Sequence, residues 1–223
     1  MKQITLVLCM TAWAMAQSGD KWIDLTPGPN LQGWTIVDVP ADGPLSATAQ
    51  WSVDAENRLV RCSGQGGRDW LRCDKKEFAD FILYVEWKFD KLDTNAKYNS
   101  GVFVRNSAEF NVWHQAQCGS ASGGFLFGNS FVNGELKRST TRAQMTGASP
   151  VRPAGEWNTY EITCQDSTIS LTVNGAPTTR WEHVQVRKGY VGLEAEGYAI
   201  CFRNIKIREL ARPWPPASIS PCR

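Results

Sequence analysis

Apolar and polar residues alternate with a period of two along most of this chain. Phe81, Leu83, Val85, Trp87 and Phe89 interleave with Ile82, Tyr84, Glu86 and Lys88, which predicts a strand with one dry face and one mixed face. The stretches Trp157–Cys164, Thr168–Val173, Tyr190–Ala195 and Ala199–Glu209 read the same way. Shorter strands are predicted at Trp22–Leu25, Trp34–Val37, Trp51–Val53, Arg58–Cys62, Trp70–Arg72, Gly101–Arg105, Phe110–Trp113 and Gly124–Phe127. Asn174-Gly175 is a two-residue hairpin turn, and Asp54 to Asn57 turns another hairpin. Asn129 to Pro153 is polar and punctuated by Gly and Pro, so it reads as a long loop able to cover a site. There is no amphipathic helical pattern and no internal repeat. Many short strands without helices predict an all-β, antiparallel two-sheet β-sandwich. The strands are too numerous, and the Cys…Trp…Cys spacing too irregular, for an immunoglobulin-like sandwich, so the expectation is a jelly roll.

The N-terminus breaks the pattern. Lys2 precedes an apolar run, Ile4 to Met15, interrupted only by Thr5 and Thr11 and followed by Ala14-Met15-Ala16. This is the order of a secretory signal peptide, and the run is too short to span a bilayer. Cys9 lies too early for a lipoprotein cleavage box. The expected organisation is a signal peptide at 1–16, a β-sandwich domain at 17–210 and a Pro-rich tail at 211–223 that cannot continue a strand. The expected location is secreted or periplasmic, with no membrane span.

Lys and Arg number 24 against 22 Asp and Glu, with no basic block, which argues against a nucleic-acid partner. Ten Trp suit sugar-facing surfaces as well as cores. Beyond Cys9 the chain carries Cys62, Cys73, Cys118, Cys164, Cys201 and Cys222, an even set that in an exported chain reads as disulfides. Metal binding is the rival reading, but there is no Cys-x-x-Cys, and His114 and His183 are the only histidines. Cys62 and Cys73 flank one predicted hairpin and are paired on that ground. Cys164 and Cys201, each late in a predicted strand, form the next pair, and Cys118 with Cys222 follows by elimination.

Five segments in register then resemble one family. These are Asn30-Leu31-Gln32-Gly33-Trp34; Trp51-Ser52-Val53 with Asn57-Arg58-Leu59-Val60; Phe81 to Lys88 with Asn99-Ser100-Gly101-Val102-Phe103-Val104-Arg105; Pro153 to Glu161; and Gly192 to Gly197 with Phe202-Arg203-Asn204-Ile205. Together they resemble the 3-keto-disaccharide hydrolases, long known as domain of unknown function 1080, over nearly the whole mature chain. The resemblance implies a concanavalin A-like jelly roll that cleaves glycosides oxidised to a ketone at C3. A 3-ketone acidifies the C2 hydrogen, so a base removes it, the C1 substituent leaves, and water completes a net hydrolysis. Such a site needs a base, an acid for the leaving oxygen, and a positive group or metal for the enolate. A carbohydrate or glycoside is the expected ligand. A divalent cation is an open question, and no motif calls for a nucleotide or haem.

Strand parity and the motifs nominate Glu86, Arg105 and Glu194 as catalytic, with Asn111, Trp113, His114 and Glu196 binding substrate. Each has a plainer alternative. Glu86 reads equally as a solvated outer-face residue, and Arg105 as its ion-pair partner. Trp113 is a sugar platform or a core residue, and His114 a catalyst or a hydrogen-bonded spectator. Glu196 is a sugar ligand or one oxygen donor to Ca²⁺. The family's Y-E-x-Q run aligns with Phe110, Asn111, Val112 and Trp113, placing an amide where a base would stand. That departure keeps a second hypothesis alive, a non-catalytic carbohydrate-binding module. The predicted covering loop favours the enzyme.

Overall fold

The structure is a computed structural model describing residues 21–39, 49–92 and 96–211. The predicted signal peptide, most of the Pro-rich tail and Cys222 lie outside the described residues.

Fifteen strands follow in order: β1 (Ile23–Asp24), β2 (Trp34–Asp38), β3 (Trp51–Asp54), β4 (Leu59–Cys62), β5 (Asp69–Cys73), β6 (Phe81–Phe89), β7 (Ser100–Asn106) and β8 (Trp113–Cys118). They continue as β9 (Leu126–Val132), β10 (Glu135–Thr140), β11 (Asn158–Gln165), β12 (Thr168–Val173), β13 (Ala176–Trp181), β14 (Tyr190–Ala195) and β15 (Ile200–Glu209). Helix among the described residues is limited to two three-residue 3₁₀ turns. Sheet I runs β13-β12-β11-β6-β15-β4-β3, with β1 against β15; sheet II runs β10-β9-β8-β7-β14-β5-β2. All pairings are antiparallel. The chain is thus the two-sheet antiparallel jelly roll expected from its alternation.

Period-two burial builds the layers. Phe81, Leu83, Val85, Trp87 and Phe89 of β6 are essentially inaccessible, and they meet Val102, Ala116, Leu126, Val191 and Leu193 of sheet II in one continuous core. Burying so many large apolar side chains is the main driving force for closing the sandwich. The β12–β13 hairpin closes through Asn174 and Gly175, both at positive φ (49° and 82°), the backbone that a two-residue turn between right-twisted strands requires.

Two expectations fail. First, Cys62, Cys73, Cys118, Cys164 and Cys201 are free and buried. Cys62 and Cys73 do not flank a hairpin: β4 belongs to sheet I and β5 to sheet II, and both thiols are free. Cys164 points into the core, whereas Cys201 lies on the outer phase of β15, where Arg61 Nη1 approaches its sulfur at 3.3 Å; β6 also separates the two strands. Cys118 points inward as a free thiol, so its expected pairing is not formed within the described residues. Burial pushes the Cys62 and Cys164 thiols up to about 12, which leaves almost no reactive thiolate. Second, much of Asn129–Pro153 is not a loop but the β9–β10 hairpin, which extends sheet II as an edge. Six paired residues per strand outweigh the polar composition that suggested a loop.

Candidate functional site

The outer face of sheet II holds a cavity of about 680 Å³. Register places its floor. Glu194 on β14 lies opposite Trp70 of β5, and Gly101 on β7 lies opposite Gln117 of β8. Trp113, Gln115 and Gln117 alternate outward on β8 while His114 and Ala116 point in. One flank is aromatic: Trp70, Phe103 and Phe110 pack together, with Trp113 and Tyr190 against them.

Glu194 is the most deeply buried charged residue lining the cavity. It is only 2% exposed, yet its carboxyl faces the cavity. Gln115 Nε2 donates to its Oε2 at 2.6 Å, and Arg68 Nη2 stands 3.8 Å from its Oε1. Arg68 Nε also reaches Glu196 Oε1 at 3.1 Å, so one guanidinium bridges two carboxyls. Burial pushes the Glu194 carboxyl well above the usual carboxylate range, and neighbouring Glu196 pushes it the same way; Arg68 and Gln115 pull back without cancelling this. The result is a buried carboxyl with a raised pKa, sharing one guanidinium with a second carboxyl.

The Asn99-Ser100-Gly101 run builds this niche. Asn99 Oδ1 accepts from Gln117 Nε2 at 2.6 Å. Ser100 Oγ donates to the Glu194 carbonyl at 2.8 Å. Gly101 leaves the space through which Gln115 crosses β7 to reach Glu194; a Cβ there would stand 2.1 Å from Gln115 Nε2. The glycine is required for a close approach, not for a turn.

Of the seven nominated residues the structure gathers four: Glu194, Glu196, Asn111 and Trp113 all line the cavity. Asn111 accepts from Ser107 Oγ at 2.6 Å within the bend before β8. Trp113 is half-buried against Phe110 and Phe127.

The other three lie elsewhere. Glu86 is on the outer face of sheet I, the opposite side of the sandwich. There it accepts from Arg203 Nε at 2.6 Å, Asn204 Nδ2 at 2.8 Å and Tyr84 Oη at 3.1 Å. Burial alone would raise its pKa, but those donors outweigh burial and hold it below the usual value. Arg105 leaves the β7 alternation at a positive φ of 51°, beside a register shift opposite Tyr190 and Gly192. That bulge turns its fully buried side chain inward, to Ala79 O (2.9 Å), Asp166 O (2.8 Å) and Asp80 Oδ1 (3.0 Å). His114 is buried between the sheets, with Nε2 2.9 Å from Ser130 Oγ and its ring against Trp181. Burial pulls its pKa down to about 4, so it stays neutral and structural.

Gln115, Gln117, Asn99, Arg68 and Arg138 were not nominated. The two glutamines were legible: β8 begins at Trp113 rather than ending there, and a strand continued to Cys118 puts Trp113, Gln115 and Gln117 on one face. Arg68 arrives from a short irregular connection with no periodicity to read. Among the described residues there is no cluster of three or more His, Cys, Asp or Glu able to hold a metal. The positive charge beside Glu194 and Glu196 is Arg68.

The sequence profile of the 3-keto-alpha-glucoside-1,2-lyase-like domain matches residues 21–208. No curated protein sequence matches the chain. Among solved structures, a Parabacteroides distasonis protein provisionally named a glycosyl hydrolase is 18% identical, with 85% of this chain and 94% of that one covered and a TM-score of 0.59. The carbohydrate binding module CBM66 of Bacillus subtilis is 13% identical, with 82% and 99% covered and a TM-score of 0.56. A Bacillus licheniformis beta-glucanase is 14% identical, with 88% and 100% covered and a TM-score of 0.51. At these identities the likeness is one of fold.

Proposed function

Because the chain belongs to the family of 3-keto-alpha-glucoside-1,2-lyase-like domains, a carbohydrate-related family, we propose that its sheet II groove cleaves glycosides oxidised at C3. The observation that carries this reading is Glu194, a buried carboxyl that faces the cavity beside Glu196 and Arg68, its pKa raised by burial. Glu196 takes the C2 hydrogen, and the electron pair of that bond moves towards the C3 ketone as an enolate. Arg68 stabilises the developing negative charge. As the enolate collapses, the bond from C1 to the leaving oxygen breaks and Glu194 gives that oxygen its proton. Water then adds to C1 of the unsaturated ketone, returning the protons and completing hydrolysis. Gln115 holds the Glu194 carboxyl at the cavity floor. This route needs no oxocarbenium ion and no second nucleophilic carboxylate.

The protein is read as exported on its N-terminal pattern, and a mature N-terminus at Gln17 checks this directly.

The test is turnover of a 3-keto-α-glucoside followed by NMR in deuterated water, with a chelator control. Release of the leaving group with deuterium appearing at C2 supports the reading. Release without exchange at C2 removes it. Turnover that falls as pH rises through the raised Glu194 pKa marks the acid. The binding-module reading is favoured by the Trp113–Phe127 wall, and it prevails if the sugar binds and is recovered intact.

A further inference from the structure

We infer that the β9–β10 end of the groove receives the leaving group, and that this group is a planar aromatic acid rather than a second sugar. The inference rests on Glu194 and Glu196 as the reaction centre.

Register sets the geometry. Leu136 pairs with Phe131, Arg138 with Asn129 and Thr140 with Phe127, and alternation puts all of them on the groove face of sheet II. From β14 to the edge strand β10 there are four inter-strand steps. At about 4.8 Å each they span about 19 Å, enough for more than one ring. Trp113, Phe127, Arg138 and Leu136 line the same cavity as Glu194, so a C1 substituent that runs along the sheet towards β10 meets them.

That end has a distinct chemistry. Leu136 is 43% exposed and Phe131 37%; among the described residues only Leu92 is a comparably exposed large apolar side chain. A second sugar would set hydroxyls against Leu136, which lines the cavity and offers no hydrogen bond. A flat aromatic ring instead buries apolar surface there, worth about 25 cal/mol per Å². Arg138 supplies the charge. Its guanidinium lies 5.1 Å from the Trp113 ring centre and 5.6 Å from that of Phe127. It makes no ion pair among the described residues, whereas Lys137 beside it, on the other phase of the strand, is held by Glu135. The two rings stand at 89° to each other, so the guanidinium sits beside both rather than flat on either, and its N–H fork, without an ion pair among the described residues, matches a carboxylate. Phe110 lies parallel to Trp113 with ring centres 5.9 Å apart, while Leu136 and Arg138 line the cavity from the β10 side.

The experiment measures binding by calorimetry on the Glu194→Gln protein, which separates recognition from turnover. The ligands are the 3-keto forms of 4-carboxyphenyl α-glucoside, phenyl α-glucoside and maltose. The carboxyphenyl ligand is expected to bind at least tenfold tighter than 3-keto-maltose. Arg138→Gln should shrink its advantage over the phenyl ligand at least fivefold, and Leu136→Ser should weaken both aryl ligands. Equal or tighter binding of 3-keto-maltose overturns the inference, as does an intact carboxylate preference in Arg138→Gln or no binding of any ligand. If the expected pattern appears while the wild type turns over nothing, the reaction has failed and the aromatic subsite stands. If wild type consumes 3-keto-maltose in preference, the reaction stands and the subsite falls.

Discussion

Glu86 and Glu194 stand on the two outer faces of one sandwich, each with an arginine beside it, and the fold drives them to opposite states. Glu86 takes three donors, from Arg203, Asn204 and Tyr84, and its pKa falls. Glu194 is more deeply buried, has one short hydrogen bond from Gln115, shares Arg68 with a second carboxyl, and its pKa rises. An arginine next to a glutamate therefore does not define its role. What decides is whether the donors offset desolvation. The sheet I glutamate is a satisfied cross-strand ion pair, with Arg203 itself stacked 3.9 Å from the Trp157 ring centre. The sheet II glutamate is held with a raised pKa, a state that is costly for the fold.

The comparison breaks first on activity. Glu194→Gln should lower kcat/KM by about 10³-fold, the usual scale for removing a positioned acid. Glu86→Gln should leave it within about twofold, measured on the same 3-keto-glucoside. A large loss in Glu86→Gln would return catalysis to sheet I.

Arg105 extends the contrast to a charge with every role filled by structure. Arg105→Met removes the arginine from Asp80, which keeps the Asp166 N–H, and frees the Ala79 and Asp166 carbonyls. Breaking a buried pair costs about 3–5 kcal/mol. At this chain length that is a fall of roughly 10 °C in Tm by calorimetry. If Arg105 were a substrate ligand instead, KM would rise while Tm held.

Gly101→Ala probes how Glu194 is held. The new Cβ displaces Gln115, so kcat/KM should fall by about tenfold or more, with about 1–3 kcal/mol lost to overpacking. Losing the Gln115 hydrogen bond also removes a pKa-lowering contact, so the alkaline limb of the pH profile should move to higher pH. A purely structural defect would leave that limb where it was.

The smallest effect is the pH dependence of stability, and its sign separates the two glutamates. Glu194 has a folded pKa above its ordinary value of 4.5, so the folded chain keeps a proton the unfolded chain releases. Stability therefore declines as pH rises from about 4.5 towards the folded pKa, and Glu194→Gln should gain on the wild type across that window. Glu86 has a folded pKa below 4.5. Its stabilisation is present above about 4.5 and lost as pH falls through the folded value, so Glu86→Gln should melt a few degrees lower at pH 7 and converge with wild type in acid. Thermal melts from pH 3 to 9 read both.

How the site was legible follows from where alternation holds. It placed Glu194 correctly, because Val191, Leu193 and Ala195 mark the inner phase of β14 without interruption. It misread Arg105, because a bulge at a positive φ reverses the phase within one strand, and nothing in Val102-Phe103-Val104-Arg105 announces it. It placed Glu86 on an outer face, correctly, yet alternation says only inside or outside and does not say which sheet supplies that outside.

The same boundary divides the molecule as a whole. The sequence alone determined the all-β class, the antiparallel sandwich, most strand positions, the Asn174-Gly175 hairpin and the identity of the core, because these follow from local periodicity and turn chemistry. Only the tertiary structure decided which strands share a sheet. That choice separated Cys62 from Cys73, put Glu86 behind the sandwich, and brought Arg68, Gln115, Glu194 and Glu196 together from three distant segments. Sheet order depends on long-range closure of the whole core, and no window of residues carries it.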